Sequence, residues 1–135
     1  SNYSTNKALW KCGYSNNGNY LATYDSNPIT YIFYSNYSNN GKFYLSKTIP
    51  ERSFECFSPD NKHIVLTNNK YNPITLGGEG WVKSTSLWIV NIKTLHERSV
   101  FDDHNETIVF ANYSQNGKKL ISRSKDGIVI VRTIQ

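Results

Sequence analysis

The 135-residue chain has no methionine, only two cysteines and four prolines, and little charge, with 19% of its residues Asp, Glu, Lys or Arg. Its longest apolar run is far too short to cross a bilayer, which excludes a transmembrane helix. Apolar residues nowhere recur at a helical period, so helix-built folds are excluded as well. No G-x-S-x-G, H-E-x-x-H or paired C-x-x-C is present, so the chain offers no nucleophile elbow and no zincin or zinc-ribbon site. No catalytic residue is assigned, and an enzyme is not expected. The net charge of +5 comes from scattered cations, with only Lys118 and Lys119 adjacent, which argues against a nucleic-acid stripe.

Cys12 and Cys56 stand in comparable first strands but at different offsets, so regular strands point them to opposite faces and no disulfide is expected. Two unpaired, buried cysteines with no secretory signal before them suit a reducing compartment, and a cytoplasmic location is expected. The Asn-x-Ser/Thr triplets at Asn2, Asn36, Asn105 and Asn112 arise by chance in so asparagine-rich a chain.

What the chain does have is one phrase written three times: Tyr14-Ser15-Asn16-Asn17-Gly18-Asn19-Tyr20-Leu21, Phe57-Ser58-Pro59-Asp60-Asn61-Lys62-His63-Ile64 and Tyr113-Ser114-Gln115-Asn116-Gly117-Lys118-Lys119-Leu120. An aromatic, a polar turn that tolerates left-handed backbone and an apolar restart make a hairpin signature. The serines at 15, 58 and 114 lie 43 and then 56 residues apart, and periods near the first value indicate propeller blades. Further β-rich runs at Ile29–Tyr34, Leu87–Ile92 and Ile128–Val131 supply a third strand to each unit, and about 42–49 and 97–101 a fourth.

In the last unit, His104 is followed by Ile108, Tyr113-Ser114, Ser122 and Asp126-Gly127, and this spacing resembles a WD-repeat. The resemblance implies an all-β chain: a β-propeller portion of three four-stranded blades, the last lacking its own outer strand. Blade 1 is expected at 8–49, blade 2 at 50–101 with an insertion at 68–83, and blade 3 at 102–135, while 1–7 would serve as an outer closing strand. It also implies a buried structural tetrad of His104, Ser122, Asp126 and the residue at the family's tryptophan position, here Arg132. Removing Asp126 is then expected to leave the Arg132 guanidinium without a counter-charge. In the first copy Thr23 takes the serine position and Phe33 the tryptophan position.

Three blades cannot close a ring, and with no methionine to start it the chain reads as part of a larger ring whose missing blades come from more chain or from a homo-oligomer. The function this implies is a protein–protein interaction scaffold with protein partners and no cofactor. The extra residues of the long period collect on a functional face, which nominates Lys70, Tyr71, Trp81 and Lys83, joined by Arg52 from a neighbouring loop. The alternative is a small-ligand or glycan-binding propeller stacking its ligand on loop aromatics, but Trp10, Trp81 and Trp88 hold non-equivalent positions, which weakens it. Asp102-Asp103-His104 is too compact for a metal site, and Gly77-Gly78-Glu79-Gly80 lacks the helix and lysine of a phosphate cradle.

Overall fold

In the computed structural model of the chain, the described residues are 9–25, 29–36, 40–68, 71–72, 80–81 and 83–134, and for Leu9, Tyr71, Asn72, Gly80 and Trp81 only the strand placement is described. The nominated closing segment 1–7 and Lys70 lie outside them.

The described residues form strands and no helix. Blade 1 comprises β1 (Leu9–Tyr14), β2 (Tyr20–Asp25), β3 (Ile29–Tyr34) and β4 (Tyr44–Pro50), paired in that order. Blade 2 runs β5 (Arg52–Phe57), β6 (His63–Asn68), β9 (Leu87–Asn91) and β10 (Glu97–Phe101). Between β6 and β9, the short strands β7 (Tyr71–Asn72) and β8 (Gly80–Trp81) form a separate two-stranded ribbon within the insertion. Blade 3 holds β11 (Ile108–Tyr113), β12 (Lys119–Ser124) and β13 (Val129–Thr133), with no fourth strand among the described residues. All neighbouring strands are antiparallel, giving three consecutive propeller blades of four, four and three strands.

The repeated phrase builds the same turn each time. Ser15 N–H donates to Tyr20 O and Gly18 N–H to Ser15 O, while Asn17 Oδ1 accepts from Ser15 Oγ and Asn19 N–H. Ser58 with Asp60, and Ser114 with Asn116, repeat the pattern. The fourth residue of each turn is left-handed, at φ 75° for Gly18, 62° for Asn61 and 74° for Gly117, a backbone region that favours glycine and tolerates asparagine. Asn61 Oδ1 also accepts the Asn17 N–H at 2.8 Å, tying the first turn to the second.

Burial follows blade position. The strand β6 reads His-Ile-Val-Leu-Thr-Asn without alternation because both of its faces are covered: Ile64 and Leu66 join a core with blade 1, and Val65 a core with blade 3. In β13 only one face is covered, so Arg132 is buried while Val129 and Val131 stay exposed. Each inner strand carries one register shift, at Trp10, Glu55 and Val109, and such bulges re-aim side chains. Gly13 gives room for a close approach, since a Cβ there would lie 3.0 Å from the Phe54 ring.

Both cysteines are free, but Cys12 is exposed rather than buried as expected, because it points to the face of blade 1 turned away from blade 2. Cys56 is half-buried, and burial pushes its thiol up to about 12, so it is not a nucleophile at neutral pH.

Candidate functional site

Three groups of residues gather at the end of the blades that carries the insertion. The first is a polar cluster on blade 3. His104 Nε2 lies 2.6 Å from Ser122 Oγ, and the Arg132 guanidinium donates to the same oxygen at 2.7 Å. Arg132 Nε donates to Asp103 Oδ2 at 2.8 Å, a second guanidinium nitrogen donates to Asp103 Oδ1, and the fork is therefore bidentate. The carboxylate that meets Arg132 is thus Asp103 and not the nominated Asp126. Asp126 instead accepts from Ser124 Oγ and the Ile128 N–H within its own turn, which holds it away from the guanidinium.

Arg132 stands where the resembled family has tryptophan, and its guanidinium lies 5.0 Å from the Phe101 ring centroid, against β10 of the preceding blade. His104 and Ser122 are buried as well. Burial first, and then the Arg132 charge, hold the His104 imidazole below its usual pKa, so it is neutral near pH 7. The hydrogen bond from Arg132 holds the Asp103 carboxyl below the usual carboxylate value. This arrangement locks a loop to a blade, with His104 Nδ1 the one buried side-chain atom of the four residues left without a hydrogen-bond partner. It presents no nucleophile and no open coordination position.

The second group is the ion pair Lys11–Glu55, at 3.1 Å between the inner strands of blades 1 and 2. Glu55 occupies the bulge of β5 and also accepts from Thr67 Oγ1. Burial pushes its carboxyl up, while Lys11 and Thr67 pull it down. A polar cleft of about 470 Å³ opens beside it, lined by Trp10, Glu55, Thr67, Lys83, Glu106 and Lys125 among others.

The third group holds the nominated partner-facing residues. Tyr71 and Trp81 are cross-strand partners in the β7–β8 ribbon. Lys83 is exposed and bonds Glu106 at 2.9 Å, tying the end of the insertion to the loop before β11. Ile108 N–H to Ser84 O and Ser86 Oγ to Asp102 fasten the same region. Arg52 does not join them. Its guanidinium lies 3.7 Å from the Trp88 ring centroid, and its Nη1 is buried without a hydrogen-bond partner. The stacking on Trp88 holds the Arg52 guanidinium against its own blade.

The sequence reading missed Asp103 as the counter-ion, the Lys11–Glu55 pair and the Arg52–Trp88 stack. Only the first had a signal, an acidic pair directly before His104. Among the described residues no group of three or more His, Cys, Asp or Glu is placed to hold a metal. Among the same residues no helix is long and apolar enough to cross a membrane.

No family model and no curated protein matches the chain. Among solved structures, 162 chains match, so the architecture is too widely shared to select a function. One is a chain of "Crystal Structure of Mitotic Checkpoint Complex", 12% identical, with a TM-score of 0.68 over 97% of this chain and 35% of that one. This chain therefore spans about a third of that neighbour's length, and the likeness establishes a propeller-type fold.

Proposed function

We propose that the chain is a non-enzymatic protein–protein interaction scaffold and part of a larger propeller-like ring. The observation that carries this reading is the pair of open sheet faces at the two ends of the three-blade stack. On blade 3, Phe110, Val129 and Val131 are about half exposed on the side away from blade 2, and on blade 1 Tyr14 and Leu45 are exposed likewise. Inner blades cover such faces, as both faces of β6 are covered, so further blades from the same chain or a second copy fit here. The free cysteines suit the cytoplasm.

Within this reading the insertion is the partner-binding element, with Tyr71 and Trp81 as aromatic anchors and Lys70 and Lys83 as cations. The Lys83–Glu106 pair supports it by giving the ribbon a fixed base on the neighbouring blade. Replacing 69–82 with an Asn-Gly turn tests the assignment in a pull-down from native lysate, with circular dichroism as the fold control. Loss of specific partners from an intact fold is expected. An unchanged set of partners would overturn the role of the insertion.

A further inference from the structure

We propose that the end of the blades opposite the insertion is a second interaction surface, formed by two adjacent grooves that seat an extended acidic peptide segment. The first groove, of about 420 Å³, runs between blades 1 and 2 and is lined by Asn17, Tyr34, Asn61, Lys62, Asn91 and Lys93 among others. The second, of about 370 Å³, runs between blades 2 and 3, with Pro59, Arg98, Tyr113, Asn116, Lys118 and Ile134 in its lining. Asp60 lines both, so the two grooves meet at the turn of the middle blade.

The charge on this end is unbalanced in one direction. Lys62, Lys93, Arg98 and Lys118 are all exposed, and none forms an ion pair among the described residues. At the insertion end Lys83, Arg132 and Lys11 are paired with Glu106, Asp103 and Glu55. Four unpaired cations face a single carboxylate, Asp60, whose Oδ1 accepts from Ser58 Oγ and the Lys62 N–H and whose Oδ2 makes no hydrogen bond there. A surface of this kind attracts a negatively charged partner.

The hydrogen-bonding groups and the floor narrow the partner to a peptide. Asn17, Asn91 and Asn116 each commit their Oδ1 to the local turn, which leaves their amide N–H groups as the donors of the face. Those donors suit peptide carbonyls, and Asp60 supplies an acceptor for a peptide N–H. A phosphodiester backbone is acceptor-only and has no N–H to offer Asp60 at the junction, whereas a peptide backbone does. The floors are apolar in part: Tyr34 stacks on Tyr20 at 5.1 Å in the first groove, and Pro59, Tyr113 and Ile134 line the second. The Tyr113 hydroxyl, buried there, has no hydrogen-bond partner. The sequence that fits is one apolar side chain per groove, flanked by Asp or Glu.

This surface shares no residue with the insertion, so either assignment can fail without the other. The test is fluorescence anisotropy of the full chain with a labelled peptide of alternating Glu and Leu, beside a single-stranded RNA of equal charge. Salt-sensitive peptide binding is expected, weakened about tenfold or more by Lys62→Glu with Lys93→Glu, and again by Arg98→Glu with Lys118→Glu. Lys125→Glu, at the insertion end, is expected to leave binding unchanged. All of these side chains are exposed, and circular dichroism checks each fold. Absence of peptide binding, equal weakening by Lys125→Glu, or tighter binding of the RNA than of the peptide would each overturn the proposal.

Discussion

The two seams between blades are built from different materials. Blades 1 and 2 meet through aromatics, with Tyr20, Tyr24, Phe54 and Phe57 buried together and Tyr34 and Trp88 packed on them. Blades 2 and 3 meet through smaller aliphatics, Val65, Leu87, Ile89, Ile108 and Leu120, and the network of His104, Ser122, Arg132 and Asp103 stands on the same face of blade 3 as Leu120. The first seam depends on area and ring geometry, which neither protonation nor salt changes. The second adds directional bonds to buried polar groups, which fix register but are costly when any one is left unsatisfied. One architecture therefore carries a seam whose aromatic core is indifferent to pH, with the Lys11–Glu55 pair beside it, and a seam whose own network titrates.

Truncating the first seam gives the largest expected effect. Phe54 is buried, lies 5.2 Å from the Phe57 ring and approaches Gly13 so closely that a Cβ there would lie 3.0 Å from its ring. Phe54→Ala removes that ring from the centre of the core and is expected to cost about 3–5 kcal/mol. Urea denaturation checks it. A loss below about 1 kcal/mol would mean that the blades slide together to fill the gap, and that this seam is less specifically packed than its aromatic content implies.

Much of this architecture was legible in the sequence, and for a physical reason. The blades were readable because each hairpin turn needs a serine, an amide or carboxylate two residues on and a left-handed fourth position, and these requirements recur with the fold's own period. The insertion was legible as a lengthened period. Contacts between units were not legible. Asp126 lies much nearer to Arg132 in sequence than Asp103 does, and the choice of Asp103 over Asp126 is made by the path of the loop before β11. Arg52 read as a free cation because nothing local shows that Trp88, two strands away, presents its ring to it. The grooves opposite the insertion depend on the spacing between blades, which no single repeat encodes.

Disconnecting the second seam's network is expected to have an intermediate effect. Ser122 is fully buried and its hydroxyl is shared by His104 and Arg132. Ser122→Ala leaves an imidazole nitrogen and a guanidinium N–H without their partner, at about 1–3 kcal/mol. Thr23, in the matching position of blade 1, is half-buried on the outward side of its sheet, so Thr23→Ala is expected to cost under about 1 kcal/mol by the same measurement. Equal losses at both positions would show that the network adds nothing beyond the packing of a small side chain.

The smallest expected effect, and the sharpest separation of the seams, is in their response to acid. The folded state holds His104 neutral below its ordinary value of 6.5, so as pH falls through that value the unfolded chain takes up a proton that the folded chain refuses. Stability is therefore lost from about pH 7 downward until the folded pKa is passed. Asp103 behaves likewise at lower pH: its folded pKa lies below 3.8, so the support it gives Arg132 is present above that value and lost as pH falls toward the folded one. Glu55, beside the first seam, has the opposite sign. Its folded pKa is raised above 4.5, so above that value ionising the buried carboxyl costs stability, and acidification returns it. Melting temperatures of the protein across about pH 7 to 5 should fall, and His104→Gln should flatten that slope, while Glu55→Gln should steepen it by removing the opposing group. A slope unchanged in His104→Gln would place the acid sensitivity outside the second seam and remove the distinction between the two.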